Sequence, residues 1–332
     1  MNIHATIDRF GDRIETFLGR KPTTKDYLEH IVRWGCDYIR YGCTFTDYFG
    51  LGFYRMKAAE KKTYHTQRGA MKFDFALDSN ESIIKHNSKV YEYTHLKKYF
   101  GREQLVSTEC TFEEFTDFTR RHPVFFVKAD DSDSGKDIER VTVTDENRRE
   151  VFDRVSQFRA VLDEPVVQHP ELTRLCPSSV NTIRVVSARV NGQVHIIGAA
   201  LRMSDGKRIM DNYSQGGVVA AVDIDTGRII DGATNFANRH FDAHPYSGVS
   251  FTDFRIPLWE QVVELVHNAG MDYTLNFVGW DVAVREHDCV LIEANPRPMV
   301  RAYQVAGNGG KREKFQQLYK LWKETDGKKT EK

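Results

Sequence analysis

Residues 279–295 read Gly-Trp-Asp-Val-Ala-Val-Arg-Glu-His-Asp-Cys-Val-Leu-Ile-Glu-Ala-Asn. Two apolar runs flank the short polar stretch Arg285 to Asp288, the pattern of an antiparallel hairpin. Side chains alternate along a strand, so Glu293 and Asn295 share one face and the hairpin brings Asp281 across beside them. Two carboxylates and an amide oxygen converging in apolar surroundings repel one another unless a cation lies between them. Oxygen ligands alone select Mg²⁺ or Mn²⁺ over zinc, and Mg²⁺ commonly completes its shell with nucleotide phosphates. The alternative is that Asp281 and Asn295 are turn and capping residues.

Upstream of this hairpin the chain is strand-rich from Glu164 onward. Val180 to Val190 and Gln193 to Met203 flank Asn191-Gly192, a strong hairpin signal. Arg184 lies inside the first of these strands and Arg202 near the end of the second, and an arginine in an apolar strand needs an anionic partner. An ideal two-residue hairpin pairs 184 with 199 and 202 with 181, which points the two arginines to opposite sides. A bulge is required for both to reach one site. Pro257 is expected to start a helix with Leu258, Val262, Leu265, Val266 and Ala269 inward and Gly270 as its stop. A tail helix carries Phe315, Leu318, Tyr319 and Trp322.

Residues 105–165 read strand, helix, strand, loop, strand, helix. Thr111 and Glu114 form a capping box for the first helix, and the second carries Val151, Val155, Phe158 and Leu162 on one stripe. Lys128 ends the apolar run Val124 to Val127 and enters a loop holding Gly135 and Lys136, which suits phosphate contacts. Residues 1–85 are aromatic and helical in pattern, with Tyr27, Ile31, Trp34 and Tyr38 at helical spacing after Pro22-Thr23-Thr24. The expected division is a helical accessory region (1–85), a small α+β lobe (86–165), a larger α+β lobe with the metal site (166–324) and a disordered tail (325–332).

The whole chain has 332 residues with 47 Lys plus Arg against 47 Asp plus Glu, so its net charge is zero. That balance argues against a nucleic-acid binder, which needs clustered positive charge. Five cysteines with no C-x-x-C spacing read as reduced thiols of a cytoplasmic protein. Neither a signal peptide nor a transmembrane segment is expected, since charged residues interrupt every apolar stretch. The absence of G-x-x-x-x-G-K-[ST] and of a strand-linked G-x-G-x-x-G argues against P-loop and classical dinucleotide folds.

The ordered motifs Asn87/Lys89, Val127-Lys128 with a Gly-Lys loop, Val166-Val167-Gln168-His169, Asn181-Thr182-Ile183-Arg184, Asn212 with Gly216-Gly217, Gly279-Trp280-Asp281 and Glu293-Ala294-Asn295 resemble those of an ATP-grasp enzyme. More narrowly the chain resembles the sugar-transfer-associated ATP-grasp family related to α-L-glutamate ligases, over roughly residues 40 to 310, including His244-Pro245-x-x-Gly248 and Ile256-Pro257-x-Trp259. The resemblance implies an α+β fold whose two lobes sandwich ATP. It also implies that Lys89 and Lys128 contact phosphates, with the loop Asp130 to Lys136, including Gly135, covering them. Val167, Gln168, His169 and Glu171 would lie about the adenine and Thr182 near the ribose. Arg184 would face the transferring phosphoryl group, with Arg202 and Asn212 at an acyl-phosphate pocket. Asp281, Glu293 and Asn295 would hold two Mg²⁺ ions, with Mn²⁺ as the alternative. Two departures stand out: the 130–137 loop has one glycine and four acids, and Pro296-Arg297-Pro298 follows Asn295.

The expected activity is ATP-dependent joining of a carboxylate substrate to an amine acceptor through an acyl phosphate, in surface polysaccharide or natural-product biosynthesis. An ATP-grasp kinase acting on a hydroxyl and a non-catalytic ATP-binding regulator remain the alternatives. Neither substrate is identified by the sequence, nor is an oligomeric state.

Overall fold

The computed structural model describes residues 3–130, 138–206, 216–305 and 307–325. Six helices come first: α1 (Ile3–Leu18), α2 (Thr24–Tyr41), α3 (Phe45–Gly50), α4 (Ala58–Lys61), α5 (Gln67–Leu77) and α6 (Asn80–Lys85). Thr23 caps α2 through a capping box with Asp26, as its sequence requires. Of the expected α2 stripe, Tyr27 and Trp34 pack against the core of the helical region, but the other two positions do not. Ile31 and Tyr38 are exposed, while His30 and Asp37 are buried, His30 against the Tyr48 hydroxyl at 3.0 Å and Asp37 against Lys61 at 2.6 Å. Two satisfied polar contacts thus turn the helix away from its most apolar orientation.

Helix α7 (Lys89–Phe100) leads to a four-stranded antiparallel sheet built from β1 (Gln104–Val106), β2 (Val124–Ala129), β3 (Ile138–Thr142) and β4 (Ala160–Asp163), with α8 (Phe112–Arg121) and α9 (Arg148–Val155) inserted between them. Its strand order is β1-β4-β2-β3. Phe115, Phe118, Phe125, Val127, Val155 and Leu162 form its core. The expected helix through Leu162 is corrected here: α9 ends at Val155, and Ala160 to Asp163 is a strand buried between β1 and β2. A short, continuously apolar run carries no period that separates helix from central strand.

The larger sheet has seven antiparallel strands in the order β11-β10-β5-β6-β7-β8-β9. These strands are β5 (Ile183–Val190), β6 (Gln193–Met203), β7 (Val218–Val222), β8 (Ile229–Asn235), β9 (His240–Phe241), β10 (Phe277–Val284) and β11 (Cys289–Pro296). Three helices accompany them: α10 (Pro170–Leu175), α11 (Trp259–Asp272) and α12 (Arg312–Thr325). One face of the sheet packs Val185, Leu201, Val218, Val282 and Trp280 against Trp259, Val262 and Val266 of α11. The opposite face buries Val186, Ala188, Val190 and Phe277 under Phe49, Phe53 and Phe73 of the helical region and Phe315 of α12. Gly270 does not end α11; it sits inside the helix, where an added Cβ would lie 3.0 Å from Val194 Cγ2, so glycine permits close approach to β6. The tail 326–332 lies outside the described residues.

Two devices position the hairpin. Asp78, between α5 and α6, accepts hydrogen bonds from the N–H groups of Asn276 (2.8 Å) and Phe277 (2.9 Å), fixing the start of β10. Helix α7 lies between the sheets, with Val90 against Val106 and Val161, and Leu96 and Phe100 in the large-sheet core. Among the described residues no helix is long and apolar enough to cross a membrane.

Candidate active site

Asn191 (φ 54°) and Gly192 (φ 71°) close the β5–β6 hairpin, pairing Val190 with Gln193. The register then slips: Ser187 pairs with Ile196 but Val186 with Gly198, leaving Ile197 as an extra residue. Arg184 therefore faces Ala200 instead of residue 199, and the Arg202 N–H donates to Thr182 O at 2.8 Å. The bulge that the sequence left as a condition is present, and both arginines project from the same side of the sheet.

On that side Glu293, Asp281, Arg184 and Ala200 form a row across four strands through the pairings 281↔293, 281↔184 and 184↔200. Arg184 donates from Nε to Asp281 Oδ1 (2.5 Å) and from Nη2 to Oδ2 (2.7 Å), a bidentate grip. Arg202 Nη1 donates to Oδ2 at 3.0 Å, and Asn295 Nδ2 lies 3.4 Å from the same oxygen. Burial opposes ionisation of Asp281, yet the two arginines hold its carboxyl down to about 2. Lys89, the first residue of α7, pairs with Glu293. Gly279, paired with Asn295 across the hairpin, leaves room for the arginine: a Cβ there would lie 3.0 Å from Pro298 Cβ and 3.3 Å from Arg184 Cδ. Trp280 points the other way and donates to Ser187 Oγ at 2.9 Å.

Lys128 is not in this row. Its ammonium is 2.5 Å from Asp163 Oδ2, and Arg102 grips the same carboxylate at 2.6 and 2.9 Å. Gln168 is engaged as a knot, donating to Cys176 O and Ser179 O and accepting from the Asn181 N–H at 2.8 Å. His169 caps α10 by accepting from the Glu171 N–H, Glu171 pairs with Arg174, Val167 is exposed and Thr182 is buried. Gly135, Lys136 and Asn212 lie outside the described residues. His240 contacts Asp242 at 3.0 Å, while His244 donates to Ser204 O and accepts from the Tyr246 and Ser247 N–H groups, a loop-organising role.

Three further groups were not found by sequence reasoning. Glu92, three residues after Lys89 on α7, is buried and accepts from the Ala294 N–H; burial pushes its carboxyl up to about 7, against the pull of Lys89 and that hydrogen bond. Helical spacing from Lys89 was the available signal. Asp130, first acid of the 130–137 loop, caps α7 by accepting from Ser88 Oγ (2.6 Å) and the Val90 N–H (2.9 Å). The Arg102–Asp163 pair spans 61 residues and leaves no local trace.

The donor atoms here are of the kind a hard divalent cation takes, although both Asp281 oxygens are engaged by Arg184, Arg202 and Asn295 Nδ2. Two carboxylates from paired strands and the neighbouring Asn295 amide offer oxygen only, and each carboxylate is charge-compensated by the protein's own cations. Among the described residues no three His, Cys, Asp or Glu side chains converge.

Two α+β lobes joined by a connector helix, with a cation–carboxylate row on the larger sheet, define the ATP-grasp class. The chain belongs to the sugar-transfer associated ATP-grasp family, whose profile matches residues 104–320. Among solved structures it is similar to the ATP-grasp ligase PsnB complexed with minimal precursor (11% identity, TM-score 0.46, covering 77% of this chain and 69% of that one). It is also similar to the D-alanine-D-alanine ligase from Coxiella burnetii (11% identity, TM-score 0.46, covering 77% of this chain and 62% of that one). A third is N5-carboxyaminoimidazole synthetase from Staphylococcus aureus complexed with ADP (11% identity, TM-score 0.41, covering 68% of this chain and 52% of that one). Comparison with curated proteins gives no match.

Proposed function

We propose that the protein is an ATP-dependent carboxylate–amine ligase that activates its carboxylate as an acyl phosphate. The observation carrying this reading is the row Glu293–Asp281–Arg184 on one face of the large sheet, with Arg202 at one end and Lys89, the first residue of α7, at the other. A carboxylate is a poor electrophile at neutral pH, and converting it to an acyl phosphate gathers negative charge that fixed cations must offset. Bound Mg²⁺ would supply Lewis-acid stabilisation of phosphoryl oxygens, held by Asp281, Glu293 and Asn295.

The chain's own groups do the rest. Arg184 and Arg202 are pre-oriented by Asp281, so their charge is in place without reorganisation. Lys89 holds Glu293 at the mouth of the row. Among the described residues the row's side-chain partners are Arg184, Arg202, Asn295 and Lys89, and in the proposed reaction the electrophile is made by phosphorylation and attacked by the substrate's own amine. The family name supports a sugar-linked substrate in polysaccharide or natural-product biosynthesis.

The test is ADP release across a panel of carboxylates and amines, with hydroxylamine as a trap. A hydroxamate product and dependence on an amine support the ligase; phosphate ester formation on a hydroxyl makes it a kinase. Glu293→Gln is expected to lower turnover at least about 100-fold, and full activity in that variant removes the metal assignment.

A further inference from the structure

The helical region does more than cover the sheet. A cavity of about 380 Å³ opens where residues 50–64 meet β8 and the segment after β11, within the size range of small-molecule sites. Arg55, Glu60, Tyr64, Thr234, Asn238 and Arg301 line it. Asn238 organises the wall from a left-handed backbone (φ 58°). Its carbonyl accepts from Arg55 Nη2 at 3.1 Å, its Oδ1 from Arg301 Nη2 at 2.7 Å, and its Nδ2 donates to Phe49 O at 2.8 Å. Two guanidiniums from segments far apart in sequence are thus fixed on one side of the cavity, Arg55 by Asn238 O and Arg301 by Asn238 Oδ1 together with the Asn235 and Phe236 carbonyls.

The cavity is tied to the row by register. Thr234 pairs with Val219 and Val219 with Arg202, so Thr234 stands on the same face two strands from Arg202. At the usual spacing of strands that is about 10 Å. Val305, which lines the cavity, packs on Ala200, Val219 and Ala221 of that same face.

We infer that this cavity binds the non-reacting end of the substrate, an oxyanion-bearing polyhydroxylated small molecule whose reacting group extends toward Arg202. The two arginines meet a carboxylate or phosphate, and Glu60, Tyr64 and Thr234 offer partners for hydroxyl groups. The direction toward Arg202 rests on the ligase reading, whereas binding in the cavity does not.

The experiment is titration calorimetry of the full chain with D-glucuronate, D-glucose 6-phosphate and neutral D-glucose, alongside a Mg²⁺-loaded non-hydrolysable ATP analogue in the same samples. Arg55 and Glu60 are exposed, so both tolerate substitution. The expected result is binding of one or both oxyanions but not glucose, weakened at least tenfold by Arg55→Gln and strengthened by Glu60→Gln, with nucleotide affinity unmoved. Preference between the two oxyanions identifies the anionic group. Failure of both to bind the wild-type chain, or affinities unmoved by both substitutions, overturns the assignment. Loss of nucleotide binding in the wild-type chain would instead overturn the ligase reading.

Discussion

Each sheet of this molecule carries a buried aspartate gripped by two cations, and the two clamps differ in what surrounds them. Asp163 of the small sheet is held by Arg102 and Lys128, with Gln104 Nε2 donating at 2.6 Å to Oδ1, the oxygen that Arg102 Nε holds. Arg102 is 1% exposed and also donates to Phe100 O and Leu291 O, so it stitches the small sheet to β11. Asp281 of the large sheet is equally buried, but Arg184 and Arg202 are 13% and 18% exposed and Glu293 beside them is 29% exposed. The first clamp joins the lobes through Arg102, while its Lys128, at 14%, is as exposed as the arginines of the second. The two clamps thus differ in what lies beside them: the first ties the small sheet to β11, and the second adjoins the more exposed Glu293.

The sharpest way to break this comparison is to remove one cation from each clamp. Arg102→Met leaves Asp163 with a single cation and severs the tie to Leu291, and should cost about 3–5 kcal/mol of stability in denaturant unfolding. Arg202→Met should abolish turnover while costing far less stability, because Arg184 still grips Asp281 with two bonds. Equal destabilisation by both would erase the distinction.

Glu92 lies between the two clamps, near Lys89 and Lys128. Its carboxyl is raised from 4.5 to about 7, so the folded state binds its proton more tightly than the unfolded state. Its contribution to stability therefore falls as pH rises from about 4.5 through 7. Glu92→Gln should raise stability by about 3 kcal/mol at pH 8 and leave it unchanged at pH 4, as read by unfolding curves at both values.

Asp281→Asn should reduce ADP release about 100-fold, whereas Asp163→Asn should alter stability with kcat within a few-fold of wild type. The smallest effect is shared. Both aspartates are held at about 2, below the ordinary 3.8, so each contributes stability that is present above pH ~4 and lost as pH falls through ~2. Each amounts to about 2 kcal/mol, and acid unfolding of Asp163→Asn should lose one such step.

Much of the large sheet was legible, because its signals are local. Asn191-Gly192 fixes a turn, Thr111 with Glu114 fixes a helix start, and alternation fixes which residues of 279–295 share a face. What escaped were pairings between distant segments. Lys128 reads as a phosphate contact at a strand end, and nothing within ten residues of it announces Asp163 or Arg102. On α2, Tyr27 and Trp34 pack as their spacing predicts, while His30 and Asp37 find partners on α3 and α4 that no helical period records. Leu162 joined a helical stripe because a four-residue buried strand offers no alternation of its own.

Ile197 sets the phase of β6. A strand is a two-state code in which each position is read from one side or the other, and one extra residue inverts every later position. Between the turn at 191–192 and the bulge, β6 is read in one phase; beyond it, in the other. Arg202 owes its access to Asp281 to that inversion, which no change in its own identity could supply. A deletion of one residue at 197 would leave the chain's composition and charge nearly untouched, yet send the second guanidinium into the hydrophobic core beneath α11.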